Sequence, residues 1–183
     1  MKLSAWLLGA ALLFISLVSI VRPSSAVDQW IGNVPIGQVG REQQPWGTDR
    51  PGGAQLFICR ASYAAPGRHK GMHPGKIRTD FHGCHISYGG VEVELPQFEV
   101  VKRDGVILRW LPASNGQIPA GANYLPGGFE GTEDGGQQLF VCRTTERSGF
   151  GVQLGKIRRP FSGCHIPYGG IERVVGEYEL ATF

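Results

Sequence analysis

Gly83-Cys84-His85-Ile86-Ser87-Tyr88-Gly89-Gly90 returns 80 residues later as Gly163-Cys164-His165-Ile166-Pro167-Tyr168-Gly169-Gly170. Working outward, Gly75-Lys76-Ile77-Arg78 recurs as Gly155-Lys156-Ile157-Arg158, and Trp30 recurs as Trp110, at the same offset of 80. Phe98-Glu99-Val100 and Tyr178-Glu179-Leu180 close the two copies in step. Between these anchors the offset drifts. Val34-Pro35 matches Ile118-Pro119, and Gln55-Leu56-Phe57-Ile58-Cys59-Arg60 matches Gln138-Leu139-Phe140-Val141-Cys142-Arg143, so insertions fall in the intervening loops. Self-similarity over this length marks two copies of one structural unit.

Local pattern makes each unit β. Leu56-Phe57-Ile58 and Leu139-Phe140-Val141 are short apolar β-forming runs, Val91-Glu92-Val93-Glu94-Leu95 alternates with period two, and Gly-Gly or Pro-Gly punctuates most gaps. No stretch has the 3.6-residue periodicity of an amphipathic helix. At the junction, 98–101 and 106–110 read as two strands of a hairpin turned through Lys102-Arg103-Asp104-Gly105, Asp-Gly being a favoured tight-turn pair. The predicted fold is all-β: two tandem, pseudo-symmetric antiparallel repeats in one compact domain, spanning 27–103 and 104–183 after a signal peptide at 1–26.

That signal peptide is read from Lys2, the uncharged and mostly apolar run from Ala5 to Val21, and the small residues Ser24-Ser25-Ala26. The apolar run falls short of the ~20 residues that span a bilayer comfortably, which favours cleavage over an uncleaved anchor. Of 18 Lys and Arg, cleavage removes Lys2 and Arg22 and takes none of the 15 acids, leaving a net charge of +1. A nucleic-acid or anionic-membrane partner would need clustered excess cations, and neither is expected. Export to the periplasm or the outside agrees with four cysteines placed two per repeat, Cys59 with Cys84 and Cys142 with Cys164. Pairing within each repeat is the simplest of the three possible connectivities; a pairing across repeats would preserve the same symmetry.

No metal or cofactor is expected. His69 and His73, or His82 and His85, offer imidazoles, but only His85 has a counterpart in the other repeat, His165, and no Cys-x-x-Cys or His-Glu-x-x-His spacing occurs. Catalysis has no better support. The cysteines are better explained as disulfides, Ser87 is replaced by Pro167 in the second copy, and Gly75-Lys76 lacks the glycine spacing and hydroxyl residue of a phosphate-binding loop. What persists is one lysine after a turn glycine in each copy, Lys76 and Lys156. Glu42 and Glu130, each two residues after a glycine in the loops before the Leu-Phe strands, offer matching carboxylates. A lysine and a carboxylate lining a shallow groove suit a sugar, whose neighbouring hydroxyls both donate and accept hydrogen bonds.

Taken together, the Trp, the Val-Pro or Ile-Pro, the Leu-Phe-x-Cys-Arg strand, the Gly-Lys, the Cys-x-Ile-Pro-Tyr-Gly-Gly turn and the closing Tyr-Glu-Leu resemble the DM-nine repeat. This β module usually occurs in tandem pairs. The resemblance covers residues 30 to 180 and is closer in the second copy, the first having Ser87 in place of the turn proline. It implies sugar binding, since some members are mannose-recognising lectins and related repeats accompany natterin-type pore-forming proteins. In those lectins an acidic residue and the lysine of the Gly-Lys pair contact the sugar. The roles carry over to Lys76, Lys156 and Glu130, and to Glu42 across a loop five residues longer; this chain has Glu where the lectin pattern has Asp.

The sequence thus predicts a secreted or periplasmic, non-enzymatic, lectin-like protein with one glycan site per repeat, of mannose type, that engages glycans or glycosylated surfaces and can form a homodimer. Membrane contact is expected only through the signal segment, if that segment stays uncleaved. The alternative is an exported protein-interaction or structural module in which the same glycines and aromatics are all scaffold.

Overall fold

Glycine-punctuated runs of alternating and β-branched residues make almost every element a strand. The structure, a computed structural model, describes residues 29–41, 43–68, 70–102, 105–131 and 136–183. The signal segment lies outside them. The first seven strands are β1 (Trp30–Gly32), β2 (Gly47–Thr48), β3 (Gln55–Tyr63), β4 (Gly71–Ile77), β5 (Cys84–Tyr88), β6 (Val91–Leu95) and β7 (Glu99–Val101). The next seven are β8 (Arg109–Ser114), β9 (Pro126–Glu130), β10 (Gln137–Thr144), β11 (Leu154–Ile157), β12 (Cys164–Tyr168), β13 (Ile171–Val175) and β14 (Glu177–Thr182). The helical elements lying wholly within the described residues are two single 3-10 turns, Ile36–Gln38 and Glu146–Ser148. The all-β expectation holds.

Strand order is β1-β7-β3-β4-β5-β6-β13-β12-β11-β10-β14-β8, antiparallel throughout, with β6 and β13 meeting at Val91 and Ile171. β9 pairs with β10 and also reaches β4, where Phe129 faces Met72, and so closes a ring of eight strands. The ring is therefore shut by a strand from the second half lying on a strand of the first.

The cores follow this arrangement. Phe57, Cys59, Ile77, Cys84 and Ile86 pack in one cluster, and Cys142, Ile157, Cys164, Ile166 and Leu180 in another. A third joins both halves, bringing Leu56 and Ile58 of β3 against Val141, Leu154 and Ala181. Successive side chains of β3 thus enter two different cores, which is why its apolar run is continuous rather than alternating. The disulfides join Cys59 to Cys84 and Cys142 to Cys164, with Cα atoms 5.9 and 6.0 Å apart. Within-repeat pairing is borne out, and each bridge contributes about 3 kcal/mol by restricting the unfolded chain.

The expected junction hairpin does not form. β7 is occupied on its two edges by β1 and β3, whereas β8 pairs with β14 at the far end of the order. Arg103 and Asp104 lie outside the described residues. Burial explains the departure: Val106 and Leu108, each 7% exposed, fill the shared core. The connection is drawn inward instead of folding back on β7.

Candidate functional site

Gly75 and Gly155 were expected to be turn residues, with their lysines on loops. Both instead lie inside strands, and the glycine serves a close approach. A side chain on Gly75 would run into the carbonyl of His85, and one on Gly155 into that of His165. The lysine that follows is drawn into the molecule. Lys76 is 2% and Lys156 1% exposed.

A buried ammonium must be surrounded by acceptors, and each half supplies part of the other's set. Lys76 Nζ donates to Gln153 Oε1 at 2.7 Å, with Glu92 Oε1 at 3.8 Å, Asp49 Oδ1 at 4.0 Å and the Tyr168 ring centre at 5.2 Å. Lys156 Nζ donates to His73 Nδ1 at 3.2 Å, with Glu130 Oε1 at 3.7 Å and the Tyr88 ring centre at 5.2 Å. Burial lowers the pKa of both lysines, and the nearby carboxylates, Glu92 and Asp49 for one and Glu130 and Glu172 for the other, pull it back up. Burial, reinforced by the Lys156 charge, also holds His73 down at about 3. Its imidazole is neutral and accepts the lysine's hydrogen bond.

The Tyr-Gly-Gly turns lock this exchange. Gly89 and Gly90, with φ of 60° and 91°, and Gly169 and Gly170, with φ of 67° and 83°, form two-residue hairpin turns that need positive φ at both positions. Gly170 N–H donates to Glu92 Oε2 at 2.7 Å and Gly90 N–H to Glu172 Oε2 at 2.8 Å. The other oxygens of these glutamates meet His85 and His165 Nδ1 at 2.8 and 2.9 Å. Burial pushes Glu172 upward, but the bonds from His165 and Gly90 and the Lys156 charge outweigh it and hold the carboxyl at about 2.

Of the four residues expected to bind ligand, the structure brings Lys156 and Glu130 together. Glu130 is on β9 rather than in a loop, and Arg158 Nε donates to its Oε2 at 2.5 Å. Glu42 lies outside the described residues. The carboxylate beside Lys76 is Asp49, which the sequence reading missed, and Arg78 Nη1 donates to its Oδ2 at 2.6 Å. Strand register makes Asp49 the counterpart of Glu130, because Gly47 faces Leu56 as Gly128 faces Leu139. A signal was present: Gly47-Thr48-Asp49 repeats the glycine-x-acid spacing with a loop two residues shorter than the second copy's, a smaller change than the five that Glu42 requires.

Access differs from burial. An open cleft of about 410 Å³, lined by Arg68, Tyr88, Gly89, Glu130, Gly131 and Arg158, lies over the Lys156 group. Its walls come from both halves. A larger cleft of about 530 Å³ lies beside Trp46, Arg143 and Glu179. There Arg143 stacks on Trp110 at 4.0 Å and bonds Glu179 at 2.6 Å, repeating the contacts of Arg60 with Trp30 at 4.2 Å and Glu99 at 2.6 Å. The Trp, the strand Arg and the closing Glu of each repeat are thereby explained as scaffold.

The family model described as DM9 repeat matches residues 49–175. None of the curated proteins matches the chain.

Proposed function

The chain belongs to the DM9 repeat family, and from that premise we propose that it is an exported carbohydrate-binding protein with two pseudo-equivalent glycan sites, of mannose type. The observation that carries the reading is the cleft over Lys156. In it a carboxylate fixed by Arg158, a tyrosine edge and a backbone turn converge on an open, sugar-sized space. Glu130 accepts from paired sugar hydroxyls, and Asp49 takes the same role beside Lys76. Each lysine lies behind its carboxylate and orients it, rather than reaching far into solvent. The two disulfides suit the oxidising compartment that export through a cleaved signal peptide would reach.

Single-site affinity for a monosaccharide is expected on the order of 0.1 to 1 mM, because an open cleft makes few contacts. Two sites raise apparent affinity for a glycosylated surface. The test is a calorimetric titration of the oxidised protein with mannose and a panel of neutral monosaccharides, beside Glu130→Gln and Asp49→Asn. These near-isosteric changes are preferable to Lys→Ala, which would leave partly buried carboxylates without their cation and a cavity in its place, and so weaken the fold. Saturable heat that halves in stoichiometry in either single variant and vanishes in the double supports two lectin sites. Undiminished binding by the double variant refutes the site assignment, and a flat titration with every sugar favours the protein-interaction alternative.

A further inference from the structure

The cleft over Lys156 carries more positive charge than a neutral sugar requires. Glu130 is already held by Arg158 at 2.5 Å and faces Lys156 at 3.7 Å, so its charge is spent within the protein. Arg158 directs Nε to Glu130 and Nη1 to Gln137 and to the Arg159 carbonyl; its Nη2 has no partner among the described residues. Arg68, exposed and lining the same cleft, makes no ion pair with any described residue. Two guanidinium groups thus look into one cleft with donors to spare, and guanidinium donors are matched to carboxylate, sulfate and phosphate oxygens. Glu133 and Asp134, which follow in sequence, lie outside the described residues, and the charge balance is that of the cleft lining.

We propose that the second-repeat site selects glycans bearing an anionic substituent, with Arg68 and Arg158 receiving the acid group while Glu130 accepts from the ring hydroxyls. This rests on the sugar-binding reading above and adds the substrate class. It also makes the two sites unequal. Arg68 belongs to the segment leading into β4, three residues before Gly71, and the residue three before Gly151 in the second repeat is Ser148. Ser148 has no charge to offer, and its hydroxyl is bonded to the Gly151 carbonyl at 3.1 Å. The determinant of acid preference at the second-repeat site is therefore supplied by the first repeat, and one acid-selective site per chain is expected.

The experiment titrates the oxidised full-length mature protein with matched pairs: mannose, glucose and galactose, each against its uronic acid and its 6-phosphate, with inorganic phosphate alone as a further arm. The acidic partner of the preferred pair is expected to bind about ten-fold tighter at one site per chain, the worth of one charge-assisted contact. That advantage should shrink as salt is raised, since exposed charges are screened. Uronate against phosphate identifies the acid group. Arg68→Gln, on an exposed loop where folding is not at stake, should erase the preference for the acidic partner. Equal binding of neutral and acidic sugars, a preference that survives Arg68→Gln, or inorganic phosphate binding as tightly as the sugar phosphate would overturn the proposal while leaving the lectin reading in place. No saturable heat from any sugar would overturn both.

Discussion

His73 and Gln153 hold corresponding places before Gly75 and Gly155, and each accepts a hydrogen bond from the other half's lysine. Only one of them titrates. Gln153 also donates its Nε2 to the Asp49 and Phe150 carbonyls at 2.9 and 2.8 Å, whereas His73 must stay neutral to accept from Lys156. Its pKa, about 3 when folded against 6.5 when exposed, sets the sign. Unfolded chains take up a proton below about pH 6.5 that the folded protein refuses until about pH 3, so stability is full above that window and falls as pH drops through it. The loss between pH 7 and 5 is about 2 kcal/mol, or roughly 4–8 °C in Tm for a chain of this size. Thermal melts should show that decline in the wild type and a nearly level Tm over the same range in His73→Gln, which installs the residue the second half already uses. A His73→Gln profile as steep as the wild type's would show that other groups carry the acid limb. The carboxyl of Glu172, held at about 2 by its bonds and the lysine charge despite burial, adds a further loss only below about pH 4.5.

At the scale of elements, the Gly-Lys pair shows how sequence and structure part company. A glycine beside a lysine between short apolar runs has the composition of a turn. Here the glycine instead lets β4 and β5, and likewise β11 and β12, approach until the next strand's carbonyl fills the space of a Cβ. Gly155→Ala is accordingly expected to cost about 1–3 kcal/mol by overpacking, measurable as a lower urea midpoint with unchanged slope. A neutral effect would mean that the strands can part without cost. By contrast β6 was legible as a strand from the alternation of Val91 to Leu95, but its burial does not follow that alternation: Val91 is exposed and Glu92 is drawn in by its bonds to His85 and Gly170. The Tyr-Gly-Gly turns were legible as turns too; their bonds to the opposite half's glutamates were not.

For the whole molecule, the consequence is that the halves are not separable. The ring is closed by β9 on β4, the third core draws on both halves, and each buried lysine is satisfied across the boundary. Residues 104–183 expressed alone should therefore fail to give a cooperative thermal transition or to bind sugar, even with Cys142 and Cys164 oxidised. Mixing with residues 27–103 is the matching test for recovery. A sharp transition from either half alone would contradict the shared core. The cleft that carries Arg68 of one half and Glu130 of the other shows the same interdependence at the surface.

The sequence by itself determined the duplication, the all-β class, the disulfide partners that the repeat made simplest, and the lysine that recurs in each copy. These follow from spacing and periodicity, which are local properties of the chain. Only the tertiary structure decided that the lysines are buried, that Asp49 faces Lys76, that the junction enters the core instead of forming a hairpin, and that each lysine is enclosed by groups from both halves. The physical reason is that a buried cation's partners are chosen by proximity after folding: strand register and ring closure bring together residues as far apart as Lys76 and Gln153, or His73 and Lys156, which no local pattern connects.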